Sequence, residues 1–263
     1  MHNQVIFFTA CFIASGLAVS SLEMLKVRSL FSGGLMNWEI SRMRSVSLFR
    51  SRLLNYIFHE TRFPYFAIFR LIAAILLLTG ILSGTHILIS LGFAWSFLSY
   101  ILFTLRTPYG LDGSDQAALL VCLVYSILCI SQSANIRLAC HIFIAAQLTL
   151  VYFTSGWNKL KAKDWRNGNY MWKLFSTSFY GMEKLGAFLE KHKAFASFSS
   201  LSIILAETFF FLYWLVPAPY CWFILAALGI FHLLTAITMG LNTFLWAFLA
   251  MYPSAVYCRL LYS

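Results

Sequence analysis

Apolar residues along this chain fall in runs about as long as a bilayer is thick, separated by short polar or basic segments. The runs lie at about 5–22, 65–82, 87–105, 117–130, 136–155, 201–216, 221–239 and 244–261. Runs of this length with few internal charges predict eight transmembrane helices, and an all-α, polytopic membrane helical bundle as the fold class. Pro64 opens the second run, and Ser83-Gly84-Thr85-His86 turns the chain after it. A dense polar turn covers Arg106 to Gln116, and Pro217-Ala218-Pro219 separates the sixth run from the seventh. The first run starts MHNQ, with no lysine or arginine where a signal peptide would carry a positive start, so it reads as a retained helix. With no internal repeat and no soluble segment of domain size, residues 1–263 read as one membrane domain.

Two stretches carry helical rather than continuous apolarity. After a break at Ser32-Gly33-Gly34, residues 41–58 interleave arginines with Leu, Phe, Ile and Tyr, the pattern of a helix lying in the headgroup plane. Met171, Phe175, Phe179, Met182, Leu185 and Leu189 recur at spacings of three and four, with Lys173, Lys184, Lys191 and Lys193 between them. That stripe predicts a helix over 170–189 on the membrane surface or dipping into it.

Composition agrees: the chain is 60% hydrophobic and 11% charged, less than half the roughly 25% charge of a soluble domain. Mean hydropathy is +0.77. The net charge of +10 sits in segments between the apolar runs, which points to topology and anionic lipid rather than nucleic acid. Segment 23–62 holds seven Lys and Arg and segment 157–198 holds eight, with four predicted spans between them. An even number puts both on one side. The positive-inside rule then places them in the cytoplasm and the N-terminus outside, in an inner (plasma) membrane. The six cysteines form no C-x-x-C, which removes thiol-redox and c-type haem readings and leaves them as buried apolar side chains.

Polar groups inside the runs are the candidates for chemistry. Glu207 and His232 each lie about eight residues from the same predicted surface, roughly 12 Å deep. A lipid-facing acid there costs about 2.5–3.5 kcal/mol, so Glu207 needs a partner, with His232 nearest in depth. The pair reads either as interhelical glue or as a proton relay. Arg106, Asp112, Asp115, Lys159 and Asp164 fall at one predicted face. Asp112, Ser114 or Asp115 can cap the helix that follows, and two aspartates alone do not make a metal site. Lys159 reads as a snorkelling anchor or as a lysine desolvated beneath Tyr152, Phe153, Trp157 and Trp165 that can act as a base. Trp157, Trp165 and Trp172 suit an interface belt, and His141 suits an interhelical hydrogen bond.

One stretch has a family look. Tyr152, Phe153, Ser155, Gly156, Lys159, Leu160, Trp165 and Gly168, in the order Y-F-x-S-G-x-x-K-L-x-x-x-x-W-x-x-G, resemble the signature of the HTTM superfamily, whose transmembrane domain is shared with vitamin K-dependent gamma-carboxylase. Asp112-Gly113-Ser114-Asp115-Gln116 resembles the polar turn before a central helix in bacterial members, and Phe231-His232 after Glu207 resembles the late F-H element. The resemblance covers about residues 64–253. It implies that Lys159 is a base acting on a lipid quinol of the vitamin K kind, with His232 at the position of a functional histidine. Asp112 and Asp115 stand where the carboxylase has an asparagine–histidine pair. The length, the basic entry segment with Leu35-Met36-Asn37-Trp38 and the Asp-Gly-Ser-Asp-Gln turn are more similar to the small bacterial branch of sporulation-delaying protein B, helpers in maturing a secreted peptide toxin.

Three functions follow as expectations. The first is a membrane-embedded maturation factor for a secreted peptide or toxin, acting with a precursor peptide and a soluble partner, with Lys159, Glu207 and His232 as its catalytic set. Arg106, Asp112, Asp115, Trp157 and Trp165 would bind substrate or cofactor. The second is a quinol-dependent, carboxylase-like enzyme with Lys159 as base. The third is a non-catalytic binding or transport protein whose polar groups only hold helices together.

Overall fold

The computed structural model describes residues 1–26, 37–43, 51–107, 113–177 and 182–261. Among these residues there is no strand, and seven helices have the length and apolarity to cross a membrane. The expected break at Ser32-Gly33-Gly34 lies outside the described residues. By contacts the chain divides into two compact units, Met1–Cys140 and His141–Ser263.

The first unit contains α1 (His2–Lys26), α2 (Trp38–Met43), α3 (Arg52–Phe58), a 3-10 turn (Glu60–Arg62), α4 (Phe63–Ser83), α5 (His86–Arg106) and α6 (Gly113–Ile130). Proline in its first turn starts α4, where the missing N–H would have had no helical acceptor. Gly84, at φ 65°, ends it by donating to the Gly80 and Ile81 carbonyls, a conformation that a side chain would strain. The two residues between α4 and α5 then force an antiparallel hairpin. A methyl at Gly92 would meet Leu77 at 2.9 Å, so the two backbones approach closely there. On α1, Met24 packs against Phe66 and Ala67 near the start of α4, and Thr9 donates to the Tyr125 hydroxyl of α6 at 3.0 Å. Trp38 of α2 is buried, donates to Asn55 of α3 at 3.0 Å and packs edge-on against Phe58. Of the 41–58 stretch, the described residues form the end of α2 and all of α3.

Arg70, eight residues into α4, is 1% exposed. It donates to Ser20 at 3.1 Å and lies over the Tyr100 and Phe103 rings at 4.8 and 5.1 Å. Stacking on two aromatic faces suits a planar guanidinium, which is more weakly hydrated than an ammonium. The Asp115 carboxylate, in the first turn of α6, lies within electrostatic reach of it.

α7 (Ala134–Lys161) passes from the first unit into the second, which continues with α8 (Lys163–Arg166), α9 (Asn169–Phe175), α10 (Glu183–Lys191), α11 (Lys193–Thr208), a 3-10 turn (Phe210–Trp214), α12 (Ala218–Met239) and α13 (Asn242–Leu261). His141 hydrogen-bonds Ser254 of α13 at 3.1 Å, the interhelical role expected of it.

Two sequence expectations change here. The run at 201–216 is not one continuous helix: α11 starts earlier, at Lys193, and stops at Thr208, after which Phe210–Trp214 takes i→i+3 bonds. Five aromatic residues, Phe209, Phe210, Phe211, Tyr213 and Trp214, crowd this stretch. The tighter turn buries Phe210 and Tyr213 and leaves Phe209 and Phe211 outward. Seven long apolar helices therefore stand where eight were expected, among the described residues. The stripe read over 170–189 also differs. It forms two helices, α9 and α10, and Phe175 and Leu189 pack with Ala196, Met171, Trp172, Leu185 and Met239. Phe175 and Leu189 of the stripe are buried in this cluster, while Met182 is 46% exposed. Phe179 lies outside the described residues.

Candidate functional site

The second unit gathers its polar side chains along one face of α7. Tyr152, Ser155, Gly156 and Lys159 are spaced three, four and seven residues apart, which aligns them on one side of an α-helix. Phe153 and Trp157, four apart, stack at 6.1 Å on another side, and Trp157 is 45% exposed beside Lys161. The structure therefore separates Trp157 from Lys159, although both belong to the same sequence stretch.

α7 runs beyond the expected end near Ser155 and carries Lys159 in its last turn. The ammonium turns inward. It donates to Ser155 Oγ at 2.9 Å and forms an ion pair with the Glu207 carboxylate of α11, while the Trp165 ring of α8 sits 5.3 Å away. The lysine side chain is 17% exposed and the glutamate 5%. A snorkelling anchor would point its ammonium to water, and this one is held beneath an indole against an acid.

Gly156 makes the pairing sterically available. A Cβ there would collide with the Thr208 backbone nitrogen and lie 2.8 Å from the Glu207 carbonyl carbon. With only hydrogen in that space, the end of α11 packs directly on α7 and brings Glu207 to Lys159, one turn along. The second half of the motif fixes α8 in the same manner. Ser200 of α11 donates to the Trp165 carbonyl, and Ser197 donates to the Asn167 carbonyl at 2.8 Å. Gly168, at φ 70°, turns the chain against Ser197, where a Cβ would come within 2.5 Å of its nitrogen. The S-G-x-x-K and W-x-x-G spacings are thus two sides of one packing arrangement around the ammonium.

Below the pair, the Tyr152 hydroxyl lies 2.8 Å from His232 Nε2 and 2.7 Å from the Tyr252 hydroxyl. His232 is 2% exposed, stacks on Phe248 at 4.2 Å, and its Nδ1 has no hydrogen-bond partner among the described residues. The Glu207–His232 pairing favoured from depth does not form. Glu207 meets Lys159 and His232 meets Tyr152, although Lys159 acts electrostatically on His232 and Glu207 on Tyr152. Tyr152→Phe removes both hydrogen bonds at its oxygen and leaves two buried polar groups short of a partner. The expected loss is about 1–3 kcal/mol, read as an earlier midpoint of unfolding in detergent, with Tyr252→Phe losing less.

A cavity of about 180 Å³ opens beside Glu207 between α11 and α12, lined by Ser202, Ala206, Ala227, Leu228 and Phe231. A larger groove of about 680 Å³, bounded by Thr149, Phe153, Phe211 and Trp214, carries no charged side chain.

The remaining sequence candidates belong to the first unit. Arg106 is buried at the end of α5, within electrostatic reach of Glu60, and Asp115 is buried within electrostatic reach of Arg70. Asp112 lies outside the described residues. Among the described residues no three His, Cys, Asp or Glu side chains converge as a metal-binding group. Tyr252 and Ser155 escaped notice as functional candidates, and only the seven-residue spacing of Tyr152 and Lys159 hinted at a shared face. No protein-family model, curated protein or solved structure matches the chain.

Proposed function

We propose that this chain is an integral membrane protein of the HTTM type, of the small bacterial branch that assists maturation of a secreted peptide, with the Lys159–Glu207 pair as its working site. Seven long apolar helices support the membrane reading, as do outward side chains such as Leu82, Phe223 and Ile237, which are 87%, 72% and 68% exposed. An aqueous surface would not tolerate so much exposed hydrocarbon, whereas lipid accepts it. The basic segments 23–62 and 157–198 then face the cytoplasm of a plasma membrane, with the N-terminus outside.

The observation that carries the functional reading is the inward ion pair. In this reading Lys159 is the base that takes a proton from a substrate group, and the Glu207 carboxylate beside it is the group to which that proton can pass. Ser155 and Trp165 hold the nitrogen in place, and Tyr152 with His232 and Tyr252 forms a hydrogen-bonded bed beneath it. The partners implied are a precursor peptide and a soluble maturation protein.

The Glu207 cavity supports a second reading, the carboxylase-like enzyme. A lipid quinol fits the residue set, since Glu207 can accept from a hydroxyl and Phe231 and Leu228 offer an apolar wall. When bound, it would supply the oxygenation chemistry that generates a strong base.

Mass spectrometry of secreted peptides from host cells with and without this chain separates the readings. Loss of a mature peptide without a mass change on its precursor is the expected result. A gain of one carbon dioxide on a glutamate would favour the enzyme, and identical peptide profiles would contradict both.

A further inference from the structure

With its inner stripe consumed by protein packing, the segment from α10 to α11 presents a second, outward face. Lys184, Phe188 and Lys191 are four and seven residues apart and share one side of α10. Glu183, Ala187 and Glu190 occupy a different exposed side, and Leu185, Gly186 and Leu189 form the inner one. The acids are thus segregated from the lysines. His192 joins the two helices, and Lys193 opens α11. Along α11 the buried residues Ala196, Ser200, Ile204 and Glu207 mark the inner side. Directly opposite run Phe195, Phe198, Ser202 and Leu205, with Phe195, Phe198 and Leu205 being 53%, 70% and 44% exposed. Phe188, 47% exposed, meets Phe195 edge-on at 6.0 Å and His192 at 4.5 Å, so the aromatic groups of the two helices form one continuous patch.

We propose that this patch docks on the anionic headgroup layer of a bilayer, with Phe188, Phe195 and Phe198 entering the headgroup–acyl boundary and Lys184 and Lys191 resting on lipid phosphates. The occupant follows from the charge pattern. A peptide groove needs no sorting of like charges to one side, whereas a planar anionic surface attracts the lysine side and repels the side with Glu183 and Glu190. The aromatic rings supply apolar area at the level where the outward stripe of α11 continues through Phe198 to Leu205. The inference rests on the membrane reading and adds the lipid class that the surface recognises. Each lysine near an anionic surface contributes roughly a fivefold preference, so two give on the order of thirtyfold between docked and undocked states.

The test uses the full-length protein in nanodiscs of phosphatidylcholine alone or mixed with phosphatidylglycerol, and hydroxyl-radical oxidation of Phe188, Phe195 and Phe198 read by mass spectrometry. Recovery of folded protein in either nanodisc checks the membrane reading separately. The expected result is strong oxidation in the zwitterionic discs and protection in the anionic ones, with protection lost in the K184Q/K191Q variant and in high salt. Equal oxidation of the three rings in the two bilayers, at any level, overturns the proposal and leaves the face to a protein or peptide occupant.

Discussion

Lys159→Met is expected to lower stability by about 3–5 kcal/mol, the largest effect of any single substitution at the site, because it strands a buried carboxylate without its cation. Glu207 is only 4% exposed, and no other cation bonds to it among the described residues. The reverse change, Glu207→Gln, is expected to cost less. Lys159 is 17% exposed at the last turn of α7 and can swing toward water, and Gln still accepts a hydrogen bond from it. Removing both charges, as in K159M/E207L, replaces the pair by apolar groups of similar size and should restore most of the lost stability. Unfolding midpoints of wild type, K159M, E207L and K159M/E207L in a mixed-detergent titration form a double-mutant cycle. A coupling energy near zero would mean that the two side chains do not depend on each other, contrary to the structure.

Gly156→Val should be nearly as damaging, for a steric reason. The backbone of Glu207 and Thr208 occupies the space a Cβ would take, and backbone cannot rotate aside as a flexible side chain can. Helix α11 must shift outward, which costs about 1–3 kcal/mol for ordinary overpacking and more for a branched residue against backbone. The shift also pulls Glu207 from Lys159, so loss of function should exceed what the stability change explains. Gly113→Ala is the control: among the described residues nothing lies within 4 Å of a Cβ there, and it is expected to be neutral within about 0.5 kcal/mol. If Gly156→Val matched that control in unfolding and in accumulation, the close α7–α11 contact would be wrong.

Much of the fold was legible because length and apolarity decide it. The run at 65–82 became Phe63–Ser83, that at 87–105 became His86–Arg106, and that at 221–239 became Ala218–Met239. What apolar periodicity does not encode is what covers a stripe. Met171, Leu185 and Leu189 have the spacing of an interfacial helix and pack instead on Phe175 and Ala196. The break after Thr208 was hidden because aromatic residues count as apolar in a hydropathy run whatever helix they form.

For the site, the cost of a lone acid in an apolar run correctly demanded a partner for Glu207. Depth along the membrane normal chose the wrong one, since it says nothing of azimuth. Glu207 lies on the side of α11 that faces Gly156 and Lys159, while His232 faces Tyr152. The signal that would have found the right partner is steric: a glycine one turn before a lysine marks where another backbone can come close. Arg70 was also visible, as a lone arginine in the run Tyr65 to Leu82. Its burial under Tyr100 and Phe103 depends on contacts made by a different helix.

The central claim is that Lys159 and Glu207 do chemistry and do not merely join two helices. The K159M/E207L double variant tests it most directly, because it removes both charges while preserving the fold. Cells carrying this variant in place of the wild-type chain should accumulate the protein at the normal level and yet lose, or fail to modify, the secreted peptide that depends on it. A secreted-peptide profile identical to wild type, at equal protein level, would make the pair a structural clamp and contradict the account.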